Sequence, residues 1–231
     1  MEQLPNGYTL NLVPGAFPLS TDSMVLAQFA KLPKNARVLD LGSGCGTLGL
    51  LLCAGRTDCR VTGLELSENA HLAALENIRR NELSGRMESI CCDLRRLPKD
   101  FTGSFDCCVS NPPYFSGGPA ASRTPLARRE DCCSPAELFA AASKVLKFGG
   151  DFFLVHKPER LAELIARGSE AALEAKRLLL LRHKQDGPIA LICIQFRKGG
   201  KPGLIFEENS LFDTKNEPTA FYNSVYHITE D

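Results

Sequence analysis

Arg37-Val38-Leu39-Asp40-Leu41-Gly42-Ser43-Gly44-Cys45-Gly46-Thr47 is the stretch that decides the fold. Five mostly apolar residues run into three glycines at alternate positions, which is a strand ending in a tight turn. A short helix, Leu48 to Ala54, follows. Moving outward, a strand is expected at Arg60 to Leu64, then a helix from Glu68 to Asn81 with Ser67 as its N-cap. In that helix Ala70, Ala73, Ala74, Asn77 and Ile78 fall on one face. Further strands are expected at Met87–Cys92, Phe105–Ser110 and Asp151–Val155, and helices at Pro135–Leu146 and Glu159–Ala166. Two last strands, Arg177–Leu181 and Ile189–Phe196, complete the series. Strand alternating with helix gives a mostly parallel sheet covered by helices on both faces. Runs such as Phe152-Phe153-Leu154-Val155 are apolar throughout, as strands buried on two sides must be. Such sheets bind ligands where the strands end, so the residues just after each strand carry the information.

After the first strand, Gly42, Gly44 and Gly46 let the backbone turn and approach a ligand closely. A nicotinamide dinucleotide site uses G-x-G-x-x-G; here the third glycine comes one position early and Thr47 stands where that pattern wants glycine. Asp40 would repel a pyrophosphate and suits a ligand with a positive amine. The loop therefore favours a nucleoside without phosphates over a dinucleotide. Glu65, nineteen residues past Gly46, is placed to accept both hydroxyl hydrogens of a ribose. Asp93, after the third strand, can accept from the exocyclic amine of a purine, or simply cap its loop.

After the fourth strand stands Ser110-Asn111-Pro112-Pro113-Tyr114-Phe115. Two prolines fix two φ angles and remove two N–H donors, leaving carbonyl acceptors. Asn111 adds a side-chain carbonyl, so the tetrad is a rigid acceptor set suited to a planar –NH2 group. Tyr114 and Phe115 supply ring faces.

At 231 residues the chain is one large domain or one domain with a small appendage. Lys and Arg number 27 and Asp and Glu number 27, which excludes gripping nucleic acid by bulk charge. The balance hides polarity along the chain. Seven basic residues between Lys176 and Lys201 face the single acid Asp186, whereas six acids between Glu207 and Asp231 face the single cation Lys215. Either the last hairpin, with Lys198 and Lys201, contacts phosphates, or the acidic tail folds across it. No apolar run approaches the roughly 18–20 residues of a membrane span, and Met1 to Pro14 carries no secretory pattern. The ten cysteines include the neighbours Cys91-Cys92, Cys107-Cys108 and Cys132-Cys133. No Cys-x-x-Cys occurs, and no His stands at a zinc-like distance from a Cys, so buried thiols in a reducing cytoplasm are expected, with no structural metal.

Together these residues resemble the class I S-adenosylmethionine-dependent methyltransferases of the N-P-P-Y group. The resemblance extends to Thr21-Asp22 before Met24-Val25-Leu26, to Ala127-Arg128-Arg129-Glu130, and to Val155-His156-Lys157-Pro158-Glu159-Arg160-Leu161. Those segments look like bacterial tRNA(Val) adenine-N6 methyltransferases, over roughly Phe17 to Gly203. Ser20 stands where that family usually has Gly, and Arg129 where His is common.

The resemblance implies an α/β, Rossmann-like class I methyltransferase fold: a seven-stranded, mostly parallel sheet with a C-terminal antiparallel hairpin. Residues 1–35 would form an N-terminal segment and helix over the cofactor, 36–203 the methyltransferase domain, and 204–231 an acidic extension. S-adenosylmethionine would be held by Asp40, Gly42, Gly44, Gly46, Glu65, Asp93, Leu94 and Asn111. Asn111, Pro112 and Tyr114 would be catalytic; Tyr114, Phe115, Lys198 and Lys201 would meet a tRNA anticodon stem-loop. Three rival readings stand. N5-methylation of a protein glutamine uses the same tetrad, but those enzymes usually carry an N-terminal helical domain, and only about 35 residues precede the first strand here. A non-catalytic cofactor-binding subunit should show an eroded tetrad, and this one is intact. A dehydrogenase is disfavoured by the glycine spacing.

Overall fold

A computed structural model describes residues 2–4, 7–14, 19–55, 58–112 and 133–226. Two short strands open the chain, β1 (Glu2–Gln3) and β2 (Thr9–Leu10), paired antiparallel. Helix α1 (Thr21–Phe29) follows, capped by Ser20, whose side chain accepts from the Ser23 amide. Then come β3 (Arg37–Leu41), α2 (Thr47–Gly55), β4 (Arg60–Glu65), α3 (Glu68–Arg80) and β5 (Met87–Cys91). The second half holds β6 (Phe105–Ser110), α4 (Pro135–Val145), β7 (Leu146–His156), α5 (Leu161–Glu170), β8 (Leu173–Lys184) and β9 (Ile189–Lys198). The chain closes with β10 (Ile205–Phe212) and α6 (Ala220–Tyr226).

The main sheet has the order β10-β8-β9-β7-β6-β3-β4-β5. β9 runs against β7 and β8, while every other neighbouring pair is parallel. The mostly parallel α/β sheet and its C-terminal antiparallel hairpin, β8–β9, are as the sequence implies, but the strands number eight rather than seven. The extra one is β10, inside the acidic segment. Its apolar alternation is broken by Glu207 and Glu208, which hides it from pattern reading. Those acids are its attachment: Glu207 pairs with Arg177 at 2.8 Å and Glu208 with Arg182 at 2.8 Å on β8.

Two apolar clusters sandwich the sheet. One joins α1, α2 and α3 to Val38, Val61, Val109 and Phe153; the other joins α4 and α5 to Leu39, Cys108, Phe152 and Ile194. Alternate residues of β3, β6 and β7 thus face opposite layers, which is why these strands read as continuous apolar runs. The α3 face is as expected, with Ala70, Ala73, Ala74, Asn77 and Ile78 buried, and Ser67 accepts from the Ala70 amide. Because β4 and β5 lie on one side of β3 and β6 and β7 on the other, strand order reverses between β3 and β6. That is where a sheet of this kind opens a crevice at its carboxyl edge.

Candidate active site

The glycine turn follows β3 at that edge. Gly42, Gly44 and Gly46 have φ of +78°, +55° and +85°, which side-chain-bearing residues rarely adopt. The Gly42 and Ser43 amides both donate to the Leu64 carbonyl at 2.9 Å, tying the turn to the end of β4. A Cβ on Gly63 would lie 2.7 Å from Ser43 Oγ, so glycine there lets the turn lie against the strand. From the other side, Asn77 clamps it. Asn77 is fully buried; its Nδ2 donates at 2.9 Å to the Cys45 and Asn11 carbonyls, and its Oδ1 accepts from the Asn11 amide at 2.8 Å. In the sequence Asn77 stands only as one residue of a helix face. The signal was there, an amide among alanines on an apolar stripe, since a buried amide must have partners.

Asp40 is 1% exposed, and among the described residues its Oδ2 has no hydrogen-bond partner. Burial first, then the neighbouring Glu65 charge, pushes its carboxyl up to about 8. A buried acceptor without a donor is costly unless something supplies the donor. A ligand's cationic amine would do so and would draw the carboxyl back to its charged form. Glu65 is half-buried beside it and already accepts from the Gly44 amide at 2.8 Å and the Ser67 amide at 2.7 Å. A carboxylate has about four lone-pair sites, so room remains for ribose hydroxyls. Asp93 takes the loop-capping role that the sequence allows beside the purine contact. Its carboxylate caps the turn at Leu94–Arg96 through the Arg95 amide and chelates the Arg95 guanidinium at 2.7–3.0 Å. The Arg95 hydrogen bonds hold it below its usual value. Leu94 lies in this turn, packed against the second cluster.

Asn111 leaves β6 two residues past Val109, which is the register partner of Asp40. The intervening Ser110 is buried and its Oγ donates to the Leu41 carbonyl at 2.7 Å, fastening the end of β6 to the start of the glycine turn. The Asn111 side chain reaches α1, its Nδ2 donating to Ser23 Oγ at 2.9 Å. No described residue donates to its Oδ1. Pro112 is buried next to it. Pro113, Tyr114, Phe115 and the Ala127–Glu130 loop lie outside the described residues. At the end of β7, His156 accepts from the Lys157 amide through Nδ1 at 2.8 Å, and burial pushes its ring down to about 4. The imidazole is therefore neutral at pH 7 and adds no positive charge to the crevice.

Lys198 and Lys201 are not brought to this site. Register pairs Ser110 with Leu154 and Leu154 with Ile194, whereas Arg197 pairs with Asp151, so Lys198 lies toward the amino ends of β6 and β7. Its ammonium donates to the Ser143 carbonyl at 2.6 Å and the Leu146 carbonyl at 2.8 Å, at the carboxyl end of α4. Arg177, Arg182 and Arg197 pair with Glu207, Glu208 and Asp151, and Lys176 donates to the Lys201 carbonyl. The basic run is thus largely consumed in holding strands together, with the acidic segment folded against it. Among the described residues no cluster of His, Cys, Asp and Glu could hold a metal, and no helix is long and apolar enough to cross a membrane.

The methyltransferase small domain family model matches residues 18–169. A tRNA1(Val) (adenine(37)-N6)-methyltransferase of Shewanella sp. (strain W3-18-1) is 28% identical over 92% of this chain and 90% of its own length. The protein of that name in Bacteroides fragilis is 32% identical over 78% and 77%. Among solved structures, a predicted O-methyltransferase of Agrobacterium tumefaciens superposes with a TM-score of 0.75 at 21% identity, over 89% of this chain and 95% of that one, which speaks for the fold. With the family model spanning most of the sheet and the relatives spanning nearly the whole chain, this protein belongs to the methyltransferase small domain family.

Proposed function

We propose that this protein is a cytoplasmic S-adenosylmethionine-dependent methyltransferase that methylates the N6 amine of an adenosine in a tRNA anticodon loop. The observation that carries the reading is a pair of polar groups where β3 and β6 end: a buried Asp40 oxygen with no donor among the described residues and, two residues past its register partner, an Asn111 amide tethered by its nitrogen. The first fits a cationic amine and the second a neutral –NH2. The relatives' shared name supplies the nucleic acid and the base.

Asp40 and the amides of the glycine turn would hold the amino-acid end of S-adenosylmethionine, and Glu65 its ribose. Asp93, bound to Arg95, would reach the adenine amine only with its remaining lone pairs, and Leu94 would pack beside that base. Bound there, S-adenosylmethionine supplies an activated methyl on a sulfonium. The chain's own contribution is orientation and electrostatics. The Asn111 Oδ1 and the Pro112 carbonyl accept from the target N6–H2, favouring a more tetrahedral nitrogen whose lone pair is free to attack. A strong base is not required, because the N6 proton becomes acidic once the nitrogen is methylated and can pass to water. Tyr114 would stack on the flipped-out adenine, a contact worth about 1–3 kcal/mol, with Phe115 beside it. An unpaired loop base suits this arrangement, since single-stranded bases can be splayed out.

The test is a parallel methylation assay with labelled S-adenosylmethionine, offering tRNA, duplex DNA and a glutamine-bearing release-factor domain. Label in tRNA N6-methyladenosine is the expected result. Label in the protein glutamine, with none in tRNA, overturns the assignment.

A further inference from the structure

We propose that Ser23 is a positioning residue that sets which way the Asn111 amide faces. The inference rests on the role of Asn111 given above. A primary amide has two ends of nearly equal shape and opposite polarity: two N–H donors on one side and a carbonyl acceptor on the other. Only the acceptor end is useful toward a target –NH2. Turned over, the side chain would set N–H against N–H and repel the group it is meant to bind. Among the described residues no backbone group of the motif bonds the Asn111 side chain, and the two orientations differ by a half-turn about its last side-chain bond.

The choice is made from outside the motif, by α1. Ser23 is 7% exposed and accepts from Asn111 Nδ2 at 2.9 Å across 88 residues of sequence. Its own hydroxyl is held in turn. Ser20 Oγ accepts from the Ser23 amide at 3.4 Å and lies 3.5 Å from Ser23 Oγ as donor. The Ser20 contact is long, and the short one is that from Asn111, in which a Ser23 lone pair accepts from Nδ2. With Nδ2 spent on Ser23, Oδ1 is the end left for substrate. α1 is a firm base for this task. Its Met24, Val25 and Leu26 are buried in the first cluster, Arg177 Nη1 donates to the Phe29 carbonyl at 3.3 Å, and Thr21 Oγ1 meets Tyr226 Oη of α6 at 3.0 Å.

The consequence is a selective kinetic defect. Ser23→Ala should lower kcat roughly 3–10-fold, the equivalent of one net hydrogen bond. The KM for S-adenosylmethionine and the Tm should stay close to wild type, since Ala suits the helix. Asn111→Asp separates positioning from simple support. A carboxylate offers oxygen at both ends and has no wrong orientation, so Ser23→Ala added to Asn111→Asp should change kcat by less than about 2-fold. Equal losses in the two backgrounds, or no loss in the wild-type background, overturn the proposal. A second reading needs no substrate. In 15N-asparagine-labelled protein, the Asn111 Nδ2H2 signals, assigned by their loss in Asn111→Asp, should move and exchange faster with water in Ser23→Ala. If they are unchanged, the proposal fails. Should wild-type protein not methylate tRNA while these signals respond, the substrate reading falls and the Ser23 tether stands.

Discussion

The inner strands β3, β4 and β6 and the outer strands β8, β9 and β10 treat their polar groups in opposite ways. At the inner end, among the described residues, Asp40 is buried with an oxygen no group bonds, Ser43 Oγ is buried and likewise without a partner, and three glycines hold positive φ values. On the outer flank Arg177, Arg182 and Arg197 each end on a carboxylate, and Lys198 ends on two carbonyls. Charge density alone pointed to the outer flank as the place for an anionic partner. Satisfaction of hydrogen bonds points to the inner end. A buried polar group left without a donor costs stability unless a ligand completes it, while a paired cation is already used by the fold.

The sharpest break of this comparison is Asn111→Ala. It should cut kcat roughly 10²–10³-fold, as loss of a transition-state acceptor does, while the Kd for S-adenosylmethionine stays within about 3-fold by calorimetry. Near-normal turnover would remove the tetrad from the site.

Asp40→Asn comes next, with a roughly 10–100-fold weaker Kd for S-adenosylmethionine, because a charged acceptor for the amine is lost. The pH dependence follows from the raised carboxyl. Its value of about 8 in the folded protein lies above the ordinary carboxylate value of 3.8. The stability contributed by Asp40 is therefore fully present below pH ~4 and is lost as pH rises through about 8. In the unliganded wild type, Tm should fall between pH 5 and 9 more steeply than in Asp40→Asn. Cofactor affinity should move the other way, rising toward pH 8 as the carboxylate ionises, and only in the wild type. Parallel pH profiles for the two proteins would contradict the reading of Asp40.

Arg177→Ala sharpens the other half. Arg177 pairs with Glu207 through two nitrogens, at 2.8 and 3.1 Å, and lies 4.3 Å over the Phe29 ring. Its loss should cost about 1–2 kcal/mol, read as a Tm drop of ~2–8 °C, with cofactor Kd unchanged. The smallest effect is expected of Lys201→Glu, which should leave tRNA affinity and its salt slope within about 2-fold. A clear flattening of the salt slope would return the outer flank to the RNA interface.

The parts of the molecule legible in the sequence are those where one residue type has one reason to be present. β3, β6 and β7 are buried on both faces and show it; Gly42, Gly44 and Gly46 announce a turn, and their positive φ values bear that out. What pattern reading missed has long-range causes. β10 is a strand because Arg177 and Arg182, some thirty residues earlier, neutralise its acids. Ser23 matters through a contact 88 residues away, and Asn77 through a loop on another element. Asp93 leaves its two readings, purine acceptor or loop cap, open until its neighbour Arg95 is seen folded back onto it. Local sequence reports propensity and burial, but it does not say which of several polar groups has already been used.

Methylation of adenosine N6 in tRNA is the reaction proposed for the carboxyl edge between β3 and β6. Mass spectrometry of tRNA nucleosides from cells lacking this protein tests it most directly. N6-methyladenosine should disappear from one tRNA's anticodon loop, return with the wild-type gene, and stay absent with Asn111→Ala expressed at equal level. An unchanged N6-methyladenosine content in the deletion, or full restoration by Asn111→Ala, would contradict the account.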